Sequence, residues 1–532
     1  MPDDHLKEHL LREFVTGPTS RRAFIGRLAA AGASAVLANG VFAVPALAAN
    51  PKKGGKLTIG TESASITDKL DPTRYSSTAN ISMGWAVYDP LVNRDANLRP
   101  VPWLATSWEP NKDGSSWVFN IRKNVTFHDG SNLTSDDVIY ALGRNYKEGS
   151  QSPAKPYMSQ IKSIDKLTDH QIRINLAGPN ADFPLILSDI RTHITKAGVE
   201  EFSGKPVGTG PFKVVEFKPG VRYIFSRNSN YWGSDGPYIE QLEYIGIADN
   251  TARINALLAG DINALLQLDQ KATKLIDRSG RAYVISAKSA AIMNLAMMMD
   301  RAPSENADLR LAVKYALDRK AVRDNVLKGY GSIGNDHPIA PVDPYYNSEI
   351  PQRVYDPDKA RFHIRKARLE NTPINIYASD SAGTGSLAAV QLLQQSAAAA
   401  GVKFNVINSP ADSYWASVWR KMPICTSGWD PRSTPDILFS LLFKSTADYN
   451  ETKWKNPKFD QMLLDARSAL EFTKRKEIYG EMQKMLNDDG GHINLAFRDY
   501  VDAARTEVKG ITPHPGGPLG NFQGHRTAWI DS

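Results

Sequence analysis

One cysteine, Cys425, stands in 532 residues, so no internal disulfide can form. Its place far down the chain also excludes a lipid-acceptor role next to an export signal. Stability must therefore come from packing. H-E-x-x-H, G-x-S-x-G and paired Cys-x-x-Cys are all missing, which removes the usual support for zinc hydrolysis and serine acyl transfer. The ten histidines are scattered, an arrangement that argues against a metal site built by the protein. No run of five or six like charges accompanies the net charge of +7, and a nucleic-acid role gets little support. There is no fixed-period repeat.

At 532 residues the chain exceeds what one hydrophobic core serves, and two large lobes are expected. Apolar residues at 42% and charged residues at 23% describe a folded, water-soluble body. Near the N-terminus, Thr19-Ser20-Arg21-Arg22-Ala23-Phe24-Ile25 precedes an Ala-rich stretch from Leu28 and a small-residue site at Ala46-Leu47-Ala48. That is the pattern of a twin-arginine export signal, residues 1–48, cleaved so that the mature chain begins near Ala49. A retained membrane anchor is the competing reading. Gly32, Ser34, Asn39, Gly40 and Pro45 dilute the apolar stretch below the roughly 20 strongly apolar residues a spanning helix needs.

Leu57 to Gly60 alternates as a strand, and Ile81, Trp85, Val87, Tyr88 and Leu91 have helical spacing across 81–92. Trp117 to Ile121 predicts a strand, with Val125 to Phe127 entering the Asp129-Gly130 turn as a paired strand of a β-rich subdomain. Thr134 and Asp137 form a capping box that opens the helix Ser135 to Arg144. Asp136 and Asp137, adjacent on that helix, point different ways and complement its dipole rather than forming an acid-base pair. From Leu309 to Val326 one apolar face predicts a long helix ending at Gly329. Ile374 to Tyr377, a helix over 388–400 and a strand over 402–407 make a β-α-β unit, so the second lobe is α/β.

Gly329-Tyr330-Gly331-Ser332-Ile333-Gly334 matches G-x-G-x-x-G, but it follows a helix, whereas a dinucleotide site needs a strand before it and a helix after it. It reads as a helix C-cap and loop, and no cofactor is inferred. His128 reads as a turn histidine. Between Tyr414 and Phe439, aromatic and charged residues are interleaved with Pro423, Gly428, Pro431 and Pro435, the composition of a binding loop. Trp419 reads as core, and Trp415 and Trp429 read equally as core or as binding surface. Tyr414, Trp415, Trp429, Asp430 and Arg432 are the candidate ligand-binding residues, with Arg432 able to pair with Asp430 or to take an anionic ligand bidentately.

Four blocks then resemble one family in its order: Leu104 to Glu109; Phe127 to Gly130 with Leu133 to Val138; Gly208 to Phe212 with Asn228 to Trp232; and Leu309 to Arg319. The chain resembles the family 5 extracytoplasmic solute-binding proteins, the peptide, opine and nickel receptors of ATP-binding-cassette importers. The resemblance implies an α/β, two-lobed periplasmic binding protein of type II. Lobe I would span 49–286 plus 495–532, with an extra β-rich subdomain over about 98–205, and lobe II would span 287–494. It also implies a monomeric, non-enzymatic receptor in the periplasm that needs no cofactor, captures a small polar solute such as a peptide, opine or amino-acid conjugate, and delivers it to an inner-membrane permease. The twin-arginine machinery would be its export partner. A ligand-presenting sensor or chaperone on the same fold is the alternative, and an exported hydrolase is a third reading. Gly208, Gly210 and Pro211 read as a turn with unusual backbone angles. In dipeptide and oligopeptide receptors an aspartate after a Gly-Trp pair holds the ligand's amino group, and Gly428-Trp429-Asp430 is the matching stretch. Its spacing departs from the family's by one residue fewer before the proline, with Arg432 nearby.

Overall fold

The structure is a computed structural model that describes residues 51–531 apart from 203, 205 and 371. The twin-arginine pattern lies outside the described residues. Among the described residues no helix is long and apolar enough to cross a membrane.

One large sheet organises the chain. Its strands, in chain order, are β1 (Lys56–Thr61), β2 (Phe212–Lys218), β3 (Arg222–Arg227), β4 (Gln241–Gly246), β5 (Ala264–Leu265), β6 (Ala282–Met297), β7 (Gly331–Ile333), β8 (Ile374–Ala378), β9 (Phe404–Asn408), β10 (Ile424–Trp429) and β11 (His492–Arg505). They lie in the order β9-β8-β10-β6-β11-β5-β1-β4-β3-β2, with β7 paired to β11 off that path. β1 is buried on both faces from Leu57 onward because parallel partners flank it, so its core signal is a run rather than an alternation. β6 and β11 pair antiparallel from Ala282 opposite Arg505 to Ala296 opposite His492, with irregularities after Ala287 and Met293. Positions 286 and 494 both fall inside these two strands.

Separate cores pack on the two ends of this sheet. Around β1, β3 and β4, Leu57, Ile59, Tyr223, Phe225 and Tyr244 form one core. At the other end β8, β9 and β10 pack with Leu309, Val313, Val390 and Leu393 from helices Ala307–Ala316 and Ser386–Ala398. The β-α-β unit is present, since β8 and β9 run parallel on either side of the second of those helices. A second, four-stranded sheet orders Ala105–Pro110, Ser116–Ile121, Gln171–Leu176 and Ile161–Thr168 around a third core with Phe119, Ile172 and Ile174.

Several expectations change. The helix predicted over 81–92 runs Thr78–Val87 instead, capped by Ser77, whose hydroxyl accepts from Asn80 N. Val125 to Phe127 is not a paired strand; only Thr126 bridges Asn132. The long helix from Leu309 stops at Ala316, because Leu317 is extended and Asp318 recaps the chain by accepting from Ala321 N at 2.9 Å. Gly331 to Ile333 is a strand paired with β11, so no helix follows the Gly-rich string. Asp137 does close the helix start at Ser135, accepting from Thr134 N at 2.8 Å, while Asp136 pairs with Lys166 at 2.7 Å.

Thr209 and Trp232, from the third resemblance block, and Trp103, beside the first, meet at one buried carboxylate. Asp89 accepts from Trp103 Nε1 (2.9 Å), Thr209 Oγ1 (2.9 Å) and Trp232 Nε1 (3.1 Å), and is ion-paired with Arg526. Gly208 and Gly210 do not have left-handed angles, which corrects the reading of that turn. They are required for space: a Cβ at Gly208 would lie 1.9 Å from Val87 O, and one at Gly210 2.4 Å from Val87 C. His128 joins the same junction, its Nε2 lying 3.0 Å from Gly210 O, and burial pulls its pKa down to about 4.

Candidate functional site

β10 carries Ser427 and Trp429 to the mouth of a strand-to-helix loop that ends where Thr434 caps the helix Pro435–Leu442, its Oγ1 accepting from Ile437 N at 3.2 Å. Gly428 has to be glycine, since a Cβ there would meet Ala382 O at 2.1 Å. Behind the loop, buried Glu451 accepts from Ser427 Oγ (2.6 Å), Trp419 Nε1 (2.8 Å), Asn294 Nδ2 (2.9 Å) and Trp429 Nε1 (3.2 Å). One carboxylate thus orients both indoles. Trp419 is therefore half-buried and hydrogen-bonded rather than plain core, with Trp415 at 5.5 Å, Tyr449 at 6.1 Å and Trp429 at 6.2 Å between ring centres. Trp415 and Tyr449 are each 44% exposed, so this aromatic cluster is an open surface.

Tyr414 does not belong to that surface. It is fully buried and donates its hydroxyl to Thr426 O at 2.6 Å, which makes it core and corrects its assignment as wall. Asp430 is exposed at the end of β10. Arg432 does not pair with Asp430's carboxylate; its Nη1 donates to the backbone oxygens of Asp430 (2.9 Å) and Pro431 (3.3 Å), and its guanidinium lies 5.9 Å from the Trp429 ring centre.

Other parts of the chain face these residues. Tyr157, in the β-rich subdomain, donates to Asp189 Oδ2 at 2.8 Å. Its pKa is pushed up by burial and by Asp189, against the pull of Arg191 and Arg432, so Arg432 lies within electrostatic reach of this subdomain. On β11, burial and Asp430 push the Tyr500 phenol up, while Arg94 and Arg498 oppose them. Arg498 also packs its guanidinium on Gly383, and its buried Nε has no partner among the described residues. The half-buried Arg94 has its pKa lowered by burial, against the pull of Tyr500, Asp189 and Asp343. The Arg191–Asp189 contact, at 3.6 Å, is the one ion pair of this cluster among the described residues. Arg94, Arg432 and Arg498 have no carboxylate partner there.

This arrangement suits the capture of an anionic group. Half-buried guanidiniums without a direct ion-pair partner favour an anionic group that supplies paired oxygens, and aromatic faces beside them favour flat or apolar substituents. Among the described residues no three His, Cys, Asp or Glu side chains group as a metal ion would need. A cavity of about 390 Å³ is lined by Arg94, Trp103, Trp232, His514, Asn521 and Arg526 among others.

Comparison with known proteins decides the family. The pattern of the bacterial extracellular solute-binding proteins, family 5 (middle), matches residues 99–451. The chain belongs to that family. Among relatives, it is 26% identical over 467 residues to the heme-binding protein A of Haemophilus influenzae, covering 81% of this chain and 85% of that one. It is also 26% identical over 470 residues to the nickel-binding periplasmic protein of Escherichia coli, covering 81% and 87%. A solved periplasmic binding protein of Helicobacter pylori, in complex with the peptide STSA, superposes with a TM-score of 0.75 at 23% identity, covering 90% of this chain and 99% of that one. The family and the two-lobed type II fold read from the four blocks stand on these matches. Family 5 members are binding proteins that act outside the cytoplasm, and this chain is one of them.

Trp415, Trp429, Asp430 and Arg432 stand out in the sequence because they share one short aromatic loop. Glu451, Tyr157, Arg191, Arg498, Tyr500 and Arg94, which approach the same region from five other places in the chain, do not stand out in this way. The signal available for Arg191 was its neighbour Asp189, a charged pair between apolar segments.

Proposed function

We propose that the protein is the periplasmic receptor of an ABC importer, closing two lobes on a small solute that carries at least one acid group. Lobe I would comprise 49–286 with 495–532 and lobe II 287–494, joined through β6 and β11. The observation that carries the anionic preference is the set of three half-buried arginines, Arg94, Arg432 and Arg498, without carboxylate partners beside Tyr500 and Asp430. The relatives support the receptor role across varied cargo: their names specify heme, nickel and dipeptides. A structural neighbour is held with agropinic acid. Trp415 and Trp429 supply the aromatic part of the wall, Asp430 a carboxylate for a ligand N–H, and Arg432 the acid clamp. Export through the twin-arginine pathway as a folded, unanchored monomer completes the reading, with delivery to a membrane permease rather than catalysis as the outcome.

Native mass spectrometry of the freshly purified protein identifies the retained solute, and calorimetry then compares wild type with Arg432→Ala. Loss of a charge-assisted bidentate contact is expected to weaken binding by about 2 kcal/mol, some thirtyfold. Unchanged affinity would remove Arg432 from the site.

A further inference from the structure

Asp182, in the β-rich subdomain, is a buried carboxylate whose side-chain partners all belong to the other lobe. Arg475 Nε lies 3.0 Å from its Oδ1, with the two side chains 8% and 2% exposed. Tyr345 OH donates to the same oxygen at 2.7 Å, and Tyr479 OH donates to Oδ2 at 3.2 Å. Arg475 Nε also donates to Tyr345 OH at 2.9 Å, so acid, phenol and guanidinium form a closed triangle. The backbone follows the side chain, since Ala181 N donates to Arg467 O at 2.8 Å. Nearby, second-lobe Ile437 is buried in the subdomain's own core. Seven residues beyond Asp182 come Asp189 and then Arg191, the subdomain's share of the candidate site.

We infer that Asp182 and Arg475 are positioning residues for ligand capture: their contact forms as the lobes meet and sets the Asp189–Arg191 segment opposite Arg432. The physical reason is one-sidedness. A buried carboxylate keeps its charge only where donors compensate the lost water, and Asp182 finds no side-chain donor within its own lobe among the described residues. Parting the lobes therefore returns both charges to solvent, and closing restores all three donors together. A contact made in one state and absent from the other biases the equilibrium by its own free energy, with or without a ligand. The pair therefore holds a closed population in the empty receptor. This inference rests on the two-lobed receptor reading.

Single-molecule energy transfer on the ligand-stripped protein tests it without needing the solute. Dye pairs at Lys123→Cys with Glu370→Cys, and at Asp261→Cys with Glu370→Cys, report subdomain to second lobe and first-lobe body to second lobe; Cys425 is buried and escapes labelling. The expected result is a closed population in the empty wild type, with the closed-to-open ratio falling about tenfold or more in Arg475→Met. Tyr345→Phe, which keeps the ring and removes only the bridging hydroxyl, is expected to lower the ratio by a smaller factor, and covers the case in which Arg475→Met does not fold. Arg475→Lys, retaining the charge, is expected to recover part of the loss. A ratio that Arg475→Met and Tyr345→Phe leave unchanged, or an empty wild type that is wholly open, overturns the inference while the receptor reading stands. So does a fixed 123–370 distance beside a varying 261–370 distance, which would make the subdomain a permanent part of the second lobe. One fixed distance for both pairs, with and without added periplasmic extract, removes the closing receptor as well.

Discussion

At the scale of single residues, Glu451 has the largest share in the site without facing the ligand region through its own side chain. Its two oxygens take four donors, two of them indoles that form the aromatic wall. Replacement by alanine leaves Asn294, Ser427, Trp419 and Trp429 with unmet hydrogen bonds. Glu451→Ala is expected to cost about 3 kcal/mol of stability and to release both tryptophan rings. Urea unfolding measures the first effect and tryptophan fluorescence the second; an unchanged emission spectrum would deny Glu451 its orienting role. Nothing around position 451 in the sequence announces this, since its partners lie at 294 and between 419 and 429. By contrast Asp430 and Arg432 were legible, because their charges interrupt an aromatic, proline-rich loop. Tyr414 misled for the same reason: proximity in sequence to Trp415 says nothing about which side of a short helix each ring takes.

Elements were legible where periodicity and punctuation agreed. β1, the helix after Thr134 and the β8-helix-β9 unit needed only local pattern. The break at Leu317-Asp318 went unseen because apolar spacing continues through it, and only the capping bond of Asp318 reveals two short segments in place of one. The Gly208-Thr209-Gly210 turn was recognised, but for the wrong property, since sequence cannot tell a glycine needed for angle from one needed for room. That distinction has a measurable consequence. Gly208→Ala places a methyl group inside the contact distance of Val87 O, and the helix end there cannot retreat without disturbing Asp89 and its five partners. The expected penalty is about 3 kcal/mol or more, read as a lower urea midpoint or failure to accumulate. At Gly130, where φ is 88° and no atom lies within 4 Å of a Cβ, the alanine variant is expected to cost only about 1 kcal/mol.

For the whole molecule, the two-lobed class could be read from four blocks in family order, whereas the meeting of the lobes could not, because it depends on residues hundreds of positions apart. The same holds for acid sensitivity. Buried His193, His337, His492 and His525 have pKa values drawn down by burial to about 3, 4, 3 and 3. Unfolded, each titrates near its ordinary value, so as pH falls below about 6.5 the unfolded chain takes up protons that the fold refuses. Stability is therefore full above that value and declines below it, by about 1.4 kcal/mol per pH unit for each histidine. Asp343 and Asp502, raised by burial to about 6 and 7, act in the opposite sense in the wild type. They cancel when wild type is compared with His193→Phe, whose ring would replace the edge-on packing against Trp85 at 4.6 Å. The gap between the two unfolding free energies is expected to shift in the variant's favour from about pH 7 to about pH 5. A constant gap would show that His193 takes up its proton in the fold as readily as in the unfolded chain. Finally, the bond between Asp89 and Arg526 joins residues 437 positions apart. During synthesis Asp89 emerges early, with Trp103, Thr209 and Trp232 following, yet its counter-charge leaves the ribosome only after β6 to β11 have been made. The core around β1, β3 and β4, which takes Leu57 and Ile59 from one end and Leu519 and Ala528 from the other, is therefore begun first and completed last, after β8, β9 and β10 have emerged.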